Sequence, residues 1–350
     1  MTADWSSRES RRVANEAAVS GAVPASDGRR EGRRFGPVEA GSWLIRVAVL
    51  LHALALFAIV FSTRQTQFGN VLFLKWFIDL EDPYAAAILV EKITVSLYLL
   101  AGLIVLFRPY WPLLLLMAAY AFMEAASGTF NAGYRFSEWT IPAHALRYGL
   151  PLVLLTLVVL PKIASLRNWT VPVAAGLLRV LVAVVFVTHG YQALMEDPRF
   201  IDLIIGSFGN LFNVSVGEST AVAVLKVIAV IDFCVALAAL IYPRPLLVPH
   251  RFWASPCRDC AIRRVIVPGL TIWLAFWGLI TALSRMTAMR PSEALSEYPE
   301  LLVRVPHVLG PLALWCLFAA TYRTRTCRSG EEAEPAGASR EVDPSRPAWR

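Results

Sequence analysis

The sequence predicts an all-α fold, a polytopic transmembrane helical bundle with about eight spans arranged as two parallel four-helix repeats. The 350-residue chain is 57% hydrophobic and only 17% charged, which is more apolar than a typical soluble domain. It also contains repeated apolar stretches close to the roughly 20 residues that a helix needs to cross a bilayer. Polar residues interrupt these stretches at matching places in the two halves, which indicates the repeat.

Eight stretches approach the length of a transmembrane helix, and none has the alternating pattern of a membrane barrel strand. They are 43–62, 87–107, 111–127, 142–161, 171–194, 219–242, 265–285 and 301–322. We therefore expect a first four-helix unit at 41–161 and a second at 171–322. The polar composition of the tails, 1–40 and 323–350, predicts disorder.

The net charge of +7 comes largely from Lys and Arg residues that concentrate in the tails and in alternate loops. The intervening loops carry fewer basic residues and several acids, such as Glu81, Glu196 and Glu293. The positive-inside rule then predicts that both termini are cytoplasmic, which an even number of spans also requires. This distribution indicates lipid rather than nucleic acid as the partner of the basic residues.

The two halves share charged positions within their spans. Arg46 begins one apolar span and Lys92 lies in the next, and Arg179 and Lys226 recur at nearly the same spacing in the second half. Because each half has an even number of spans, the predicted repeat is parallel rather than inverted.

The last span of each half carries an imidazole and a guanidinium in opposite order. His144 precedes Arg147 in the first half, whereas Arg304 precedes His307 in the second. Residues three apart share a helix face. We therefore expect each half to hold a polar cluster inside its own bundle, at the depth of the outer leaflet.

Ionisable residues inside a membrane are costly, so they mark sites of function by default. The candidates for a ligand site or a proton relay all lie in or near predicted spans: Arg179, His189, Lys226, Asp232, Arg304, His307, Glu91, Lys92, Glu124, His144 and Arg147. No residue is assigned a catalytic role. The expected charge pairs are Glu91 or Glu124 with Arg147, and Asp232 with Lys226, Arg179 or Arg304. Such pairs suit a ligand site and a purely structural role equally.

The loops predicted to lie outside the membrane share a short motif, PheIleAspLeu, at 77–80 and at 200–203. Each copy lies in a mixed apolar and acidic stretch. This composition predicts short amphipathic or re-entrant segments that cap the bundle.

Cys257 and Cys260 form a CxxC motif in an Arg-rich loop that we expect to be cytoplasmic. A reducing compartment would keep the pair as thiols. A zinc site would need about four ligands, for which His250 and Cys327 are the candidates on the same side. We assign no metal site from this motif alone.

The segment 177–194, LeuLeuArgValLeuValAlaValValPheValThrHisGlyTyrGlnAlaLeu, resembles the first helix of the DoxX-like integral membrane protein family. In that family an Arg lies near the start of the helix and a His-Gly or similar turn near its end, which here are Arg179 and His189. The family's four-helix unit would cover about 171–322. The first half looks like a diverged second copy, which keeps Arg46 and Glu91 but has Leu56 where His189 would align.

This resemblance implies a role accessory to membrane redox chemistry, since members are described as quinol-oxidase subunits or as partners of thiol-redox and oxidative-stress proteins. We accordingly expect a bacterial plasma (inner) membrane protein with a redox protein partner, membrane-embedded or peripheral. A quinone or a small polar ligand would occupy an outer-leaflet pocket. The residues expected to line it are Arg179, His189, Lys226, Asp232, Arg304 and His307. A transporter or permease, and a structural or assembly protein with static charge pairs, are the alternatives.

Overall fold

The computed structural model describes residues 36–62, 66–130, 136–241, 267–290 and 295–331. This part of the chain contains no strand, and eight of its helical segments are long and apolar enough to cross a membrane. The prediction of an all-α polytopic bundle is therefore confirmed. The described residues from Pro37 onward belong to one compact unit.

The first half consists of four long helices and two short ones. They are α1 Pro37–Phe61, α2 Gln67–Val71, α3 Pro83–Phe107, α4 Trp111–Phe130, α5 Thr140–Ala143 and α6 Ala145–Val159. A π-helical turn, Leu72–Trp76, extends α2, and a 3-10 turn, Ser137–Trp139, precedes α5. The sequence specifies the start of α3 locally, because the Asp82 side chain accepts a hydrogen bond from the Ala85 amide and Pro83 occupies the first turn.

The second half repeats this order of elements. Its helices are α7 Thr170–Leu194, α8 Pro198–Phe212, α9 Glu218–Ile241, α10 Val267–Thr287, α11 Tyr298–Arg304 and α12 Pro306–Glu331. A 3-10 turn again precedes the short helix before the last span, at Leu295–Glu297. Both last spans contain an internal proline, Pro151 in α6 and Pro311 in α12.

Helices of the two halves pack against one another and build a common core. Helix α7 contacts α6, α9 and α12, while α1 contacts α3, α6, α11 and α12. Fully buried side chains from both halves meet in this core, among them Leu146, Leu178, Phe186 and Leu314. Gly149 permits close packing of α6 on α7, because a Cβ there would lie 2.5 Å from Leu181 Cδ2.

The two predicted capping segments differ in the structure. Residues 200–203 lie within α8, whose N-terminus is capped by the Asp197 side chain and whose Ile201 and Ile204 are buried. Residues 77–80 instead form bends and turns after the π-helical turn. In the same connection between α1 and α3, the short helix α2 contains the buried residues Gly69 and Val71.

Candidate functional site

Five of the predicted polar residues meet inside the bundle. We call His144, Arg147, His189, Arg304 and His307 the interior cluster. The imidazole centroids of His189 and His307 lie 5.9 Å apart. His144 interacts electrostatically with Arg147, His189 and Arg304, and Arg147 interacts with Arg304. The expectation of one polar cluster in each half is therefore wrong, because the packing of α6, α7 and α12 brings both sets together.

A break in helical structure positions the paired residues in each half. His144 lies between α5 and α6 with a φ of −101° and a ψ of 13°, and Arg147 follows in the first turn of α6. Arg304 ends α11, and His307 follows Pro306 at the start of α12. Pro306 has no amide hydrogen to donate to the preceding turn, which favours this second break.

Gly278 of α10 lies directly against the backbone of His307. A Cβ at this position would lie 2.6 Å from the His307 carbonyl carbon and 3.2 Å from the Val308 nitrogen, and would overlap the His307 carbonyl oxygen. Glycine is the only residue without a Cβ, so it allows α10 to approach α12 this closely. The contact fixes the backbone from which the His307 ring projects.

Hydrogen bonding defines the tautomer of His307. Its Nδ1 lies 2.9 Å from the carbonyl oxygen of Arg304, and a carbonyl oxygen only accepts, so Nδ1 carries the proton. Nε2 of the neutral ring is then a hydrogen-bond acceptor. This Nε2 is buried, and the described part of the chain contains no partner for it.

Three more buried nitrogen atoms of the cluster lack a hydrogen-bond partner among the described residues. They are Nδ1 of His144, Nε of Arg147 and Nδ1 of His189. Buried polar groups in proteins are nearly always hydrogen-bonded, so such a concentration calls for a ligand or ordered water. The side chains of His144, Arg147 and His189 are also partly exposed rather than sealed by packing.

A pair of residues that was not among the predicted site residues extends the cluster toward the middle of α1. Nδ1 of His52 lies 3.1 Å from the hydroxyl of Tyr98, and both side chains are buried. Arg147 interacts electrostatically with both. The sequence does contain a signal for this pair, since His52 is an ionisable residue in the middle of an apolar span.

The carboxylates of Glu91 and Glu124 bind the start of α2. Glu124 accepts from the amides of Gln67 and Phe68 at 3.0 and 2.9 Å. Oε1 of Glu91 accepts from the Thr66 amide at 2.8 Å and from the Thr66 hydroxyl. The first amides of a helix have no partner within it, and these carboxylates supply one. Neither acid forms the predicted ion pair with Arg147. Arg147 acts on Glu124 only through a longer-range electrostatic interaction.

Asp232 and Lys226 belong to separate interactions. An oxygen of Asp232 accepts from the indole nitrogen of Trp277 at 2.6 Å, and the Lys226 ammonium lies 3.0 Å from a Glu196 carboxylate oxygen. The expected pair between Asp232 and Lys226 is wrong for a geometric reason. Residues six apart on a helix with 3.6 residues per turn project toward different sides.

Arg304 pairs with an acid of its own helix rather than with Asp232. Its guanidinium lies 2.9 Å from a Glu300 carboxylate oxygen and 3.0 Å from the Glu300 carbonyl oxygen. The charge of Arg304 is therefore largely compensated within α11.

Two candidates lie away from the interior cluster. Lys92 is exposed, and its ammonium lies 5.7 Å from the centroid of the Phe61 ring. Arg179 is buried in α7, but ten residues of helix place its backbone about 15 Å from that of His189. Arg179 and Lys226 therefore do not join His189 as expected, whereas the Asp232 Cβ lies 3.2 Å from where a Cβ on Gly190, the neighbour of His189, would stand.

The CxxC pair, Cys257 and Cys260, lies outside the described residues. Within the described residues, no group of three or more His, Cys, Asp or Glu side chains is arranged to hold a metal ion. The interior cluster instead offers hydrogen-bond donors and acceptors of the kind that bind an organic ligand with oxygen atoms.

In comparisons with known proteins, no family model, no curated protein and no solved structure matches this chain. The DoxX-like resemblance accordingly stays a prediction. The class that the structure defines is a polytopic helical membrane protein with a polar cluster inside the bundle.

Proposed function

We propose that this membrane protein binds a small ligand with carbonyl or hydroxyl oxygens, a quinone headgroup above all, at the interior cluster. Its role is then accessory to membrane redox chemistry, as the DoxX-like resemblance implies. One observation carries the proposal: four buried nitrogen atoms from three spans converge without a partner in the described residues. They are His144 Nδ1, Arg147 Nε, His189 Nδ1 and His307 Nε2.

The chemistry of these atoms fits a quinone and its quinol. The Arg147 Nε–H group donates, and a charge-assisted hydrogen bond to a carbonyl oxygen is about twice as strong as a neutral one. The neutral His307 ring presents Nε2 as an acceptor, which suits a quinol hydroxyl. A neutral imidazole also carries a donor and an acceptor nitrogen on one ring, which suits the oxygens of both a quinone and its quinol.

The surroundings of the cluster favour a ligand with an apolar body. Phe186 packs edge-on against His307 at a centroid distance of 6.0 Å, and Phe200 of α8 lies 5.9 Å from His189. Binding sites for small molecules are typically apolar with a few placed polar groups. Helix α8 covers the cluster at the position where the sequence predicts a capping segment.

The test is equilibrium binding of a short-chain benzoquinone to the purified protein in detergent, followed by quenching of tryptophan fluorescence. Loss of one hydrogen bond to a charged group costs about 1.5–3 kcal/mol. We therefore expect Arg147→Gln to weaken binding roughly 10- to 100-fold. Arg167→Gln, which removes an exposed arginine, is the matched control and leaves the affinity unchanged. Equal affinities of the wild-type and Arg147→Gln proteins would overturn the proposal.

The same variants separate the rival functions. A transporter would give substrate flux in liposomes that Arg147→Gln abolishes, with no quinone bound by the wild-type protein. A structural protein would lose thermal stability in Arg147→Gln and show neither binding nor flux. A redox partner protein, membrane-embedded or peripheral, belongs to the first proposal and is sought by crosslinking in the native membrane.

We also propose that the protein resides in a bacterial plasma (inner) membrane with both termini in the cytoplasm. The Arg-rich tails and alternate loops of the sequence support this orientation. Labelling of single cysteines with a membrane-impermeant reagent tests it. Cysteines placed at Asp79 and Asp202 should react in intact cells, whereas one at Arg167 should not.

A further inference from the structure

We propose that Glu91 and Glu124 form a second site, one that binds a single proton, which resides on Oε2 of Glu91. This site lies where α3 and α4 hold the start of α2. It does not depend on the ligand of the interior cluster.

The four carboxylate oxygens of the pair are not equivalent. Both oxygens of Glu124 and Oε1 of Glu91 accept hydrogen bonds from Thr66, Gln67 or Phe68. Oε2 of Glu91 is buried and has no partner in hydrogen-bonding geometry among the described residues, although the Gly69 amide lies near enough to act on this carboxyl group. An ionised carboxylate in an apolar interior is costly unless each oxygen is compensated, whereas a protonated oxygen is neutral.

Gly69 makes room for the Glu91 carboxyl group. A Cβ at Gly69 would lie 2.5 Å from Glu91 Cδ and 2.7 Å from Oε1, and would overlap Oε2. The exposed fraction of Glu91 is 0%. Close packing against Gly69 leaves no access for the water shell that an ion needs, which favours the neutral acid.

The charges around the pair do not balance two carboxylates. Glu91 and Glu124 repel each other, and the start of a helix offers only about half a positive charge. Arg147 acts on Glu124, and Lys92 is exposed beside the Phe61 ring. The positive charges that act on the pair sum to less than its two negative charges, and a proton on Glu91 removes the excess.

Tyr120 is a second buried polar group near the pair. The Tyr120 side chain is only 5% exposed, and its hydroxyl lacks a hydrogen-bond partner among the described residues. It lies on α4 one turn before Glu124, packs edge-on against Phe68 at 5.9 Å, and interacts electrostatically with Glu91, Glu124 and Tyr98.

A proton suits the site better than a metal ion. Sodium or calcium would need about six oxygen ligands. Three of the four carboxylate oxygens here already accept hydrogen bonds from the chain. The titratable and charged groups that face the pair from the packed helices are Tyr98, Tyr120 and Arg147.

Infrared difference spectroscopy on the purified full-length protein at neutral pH tests the proposal. A protonated carboxyl group has a carbonyl stretch that an ionised one lacks. We expect the spectrum of wild type minus Glu91→Gln to contain this band, and the spectrum of wild type minus Glu218→Gln, an exposed acid, to lack it. Absence of the band from the first spectrum overturns the proposal. So does a band that Glu124→Gln removes and Glu91→Gln retains.

Two further measurements complete the test. If Glu91→Gln fails to fold, the infrared spectrum of the Asp232→Asn variant, which lacks another buried acid, is recorded without subtraction of a second spectrum. The spectrum of this variant must still contain the carbonyl band of a protonated carboxyl group, and absence of the band overturns the proposal. Thermal unfolding in sodium chloride and in choline chloride distinguishes a bound sodium ion from a bound proton. Equal midpoints are expected, and a stabilisation by sodium that Glu91→Gln abolishes would replace the proton with a cation.

Discussion

The contact between Gly278 and His307 leads to a sharp prediction about stability. Gly278→Ala places a methyl group 2.6 Å from the His307 carbonyl carbon, and the atoms that it meets are backbone rather than flexible side chain. Relief therefore requires α10 to move away from α12. Overpacking of this kind costs about 1–3 kcal/mol, while the better helix propensity of alanine returns up to about 1 kcal/mol.

A second glycine isolates the packing cost. Gly176 lies inside α7, and a Cβ there would meet nothing within 4 Å. Gly176→Ala therefore gains the propensity alone, about 1 kcal/mol. The two variants should differ by about 1–3 kcal/mol in the free energy of unfolding, measured by denaturation with sodium dodecyl sulfate in mixed micelles. Equal stability of the two would refute the close approach of α10 to α12 at His307.

Two further predictions concern the charged residues of α9. Asp232→Ala should destabilise the protein by about 1–3 kcal/mol, because it leaves the indole N–H of the half-buried Trp277 without its acceptor. Thermal unfolding against exposed Asp202→Ala as control checks this, and equal midpoints would contradict it. Lys226 and Glu196 form an exposed pair, so a double-mutant cycle with Lys226→Gln and Glu196→Gln should give a coupling of at most about 1 kcal/mol. A larger coupling would mean that the pair is buried in the membrane-embedded protein.

The helical spans were predictable because bilayer thickness sets a length that apolar stretches reveal directly. The closeness of His144 to Arg147, and of Arg304 to His307, was predictable from their spacing of three, but the break in helical structure at each pair was not. Their meeting in one cluster was not, because it depends on how α6 and α12 pack on α7. Spacing within a helix specifies a face, but it does not say which helix that face meets.

The errors in the predicted charge pairs have two different origins. The helix period alone would have excluded the pair of Asp232 with Lys226, so the information was present in the sequence. The partners of Glu91 and Glu124 were not predictable in this way. A carboxylate binds a backbone amide as well as a guanidinium, and the amides at 66–68 belong to a loop whose inward course depends on the whole bundle.

The swapped order of the His and Arg pairs gives the interior cluster an asymmetric charge. Arg304 is held 2.9 Å from Glu300, whereas Arg147 makes no ion pair within the described part of the chain. Apart from Glu300, the acid that interacts most strongly with Arg147 is Glu124, whose carboxylate oxygens accept hydrogen bonds from amides of α2. Arg147 is therefore the group whose charge is available to a ligand, and a carbonyl or anionic oxygen is the chemistry that it selects. Two arginines without an acid between them would repel each other more strongly, and the ion pair within α11 reduces that cost.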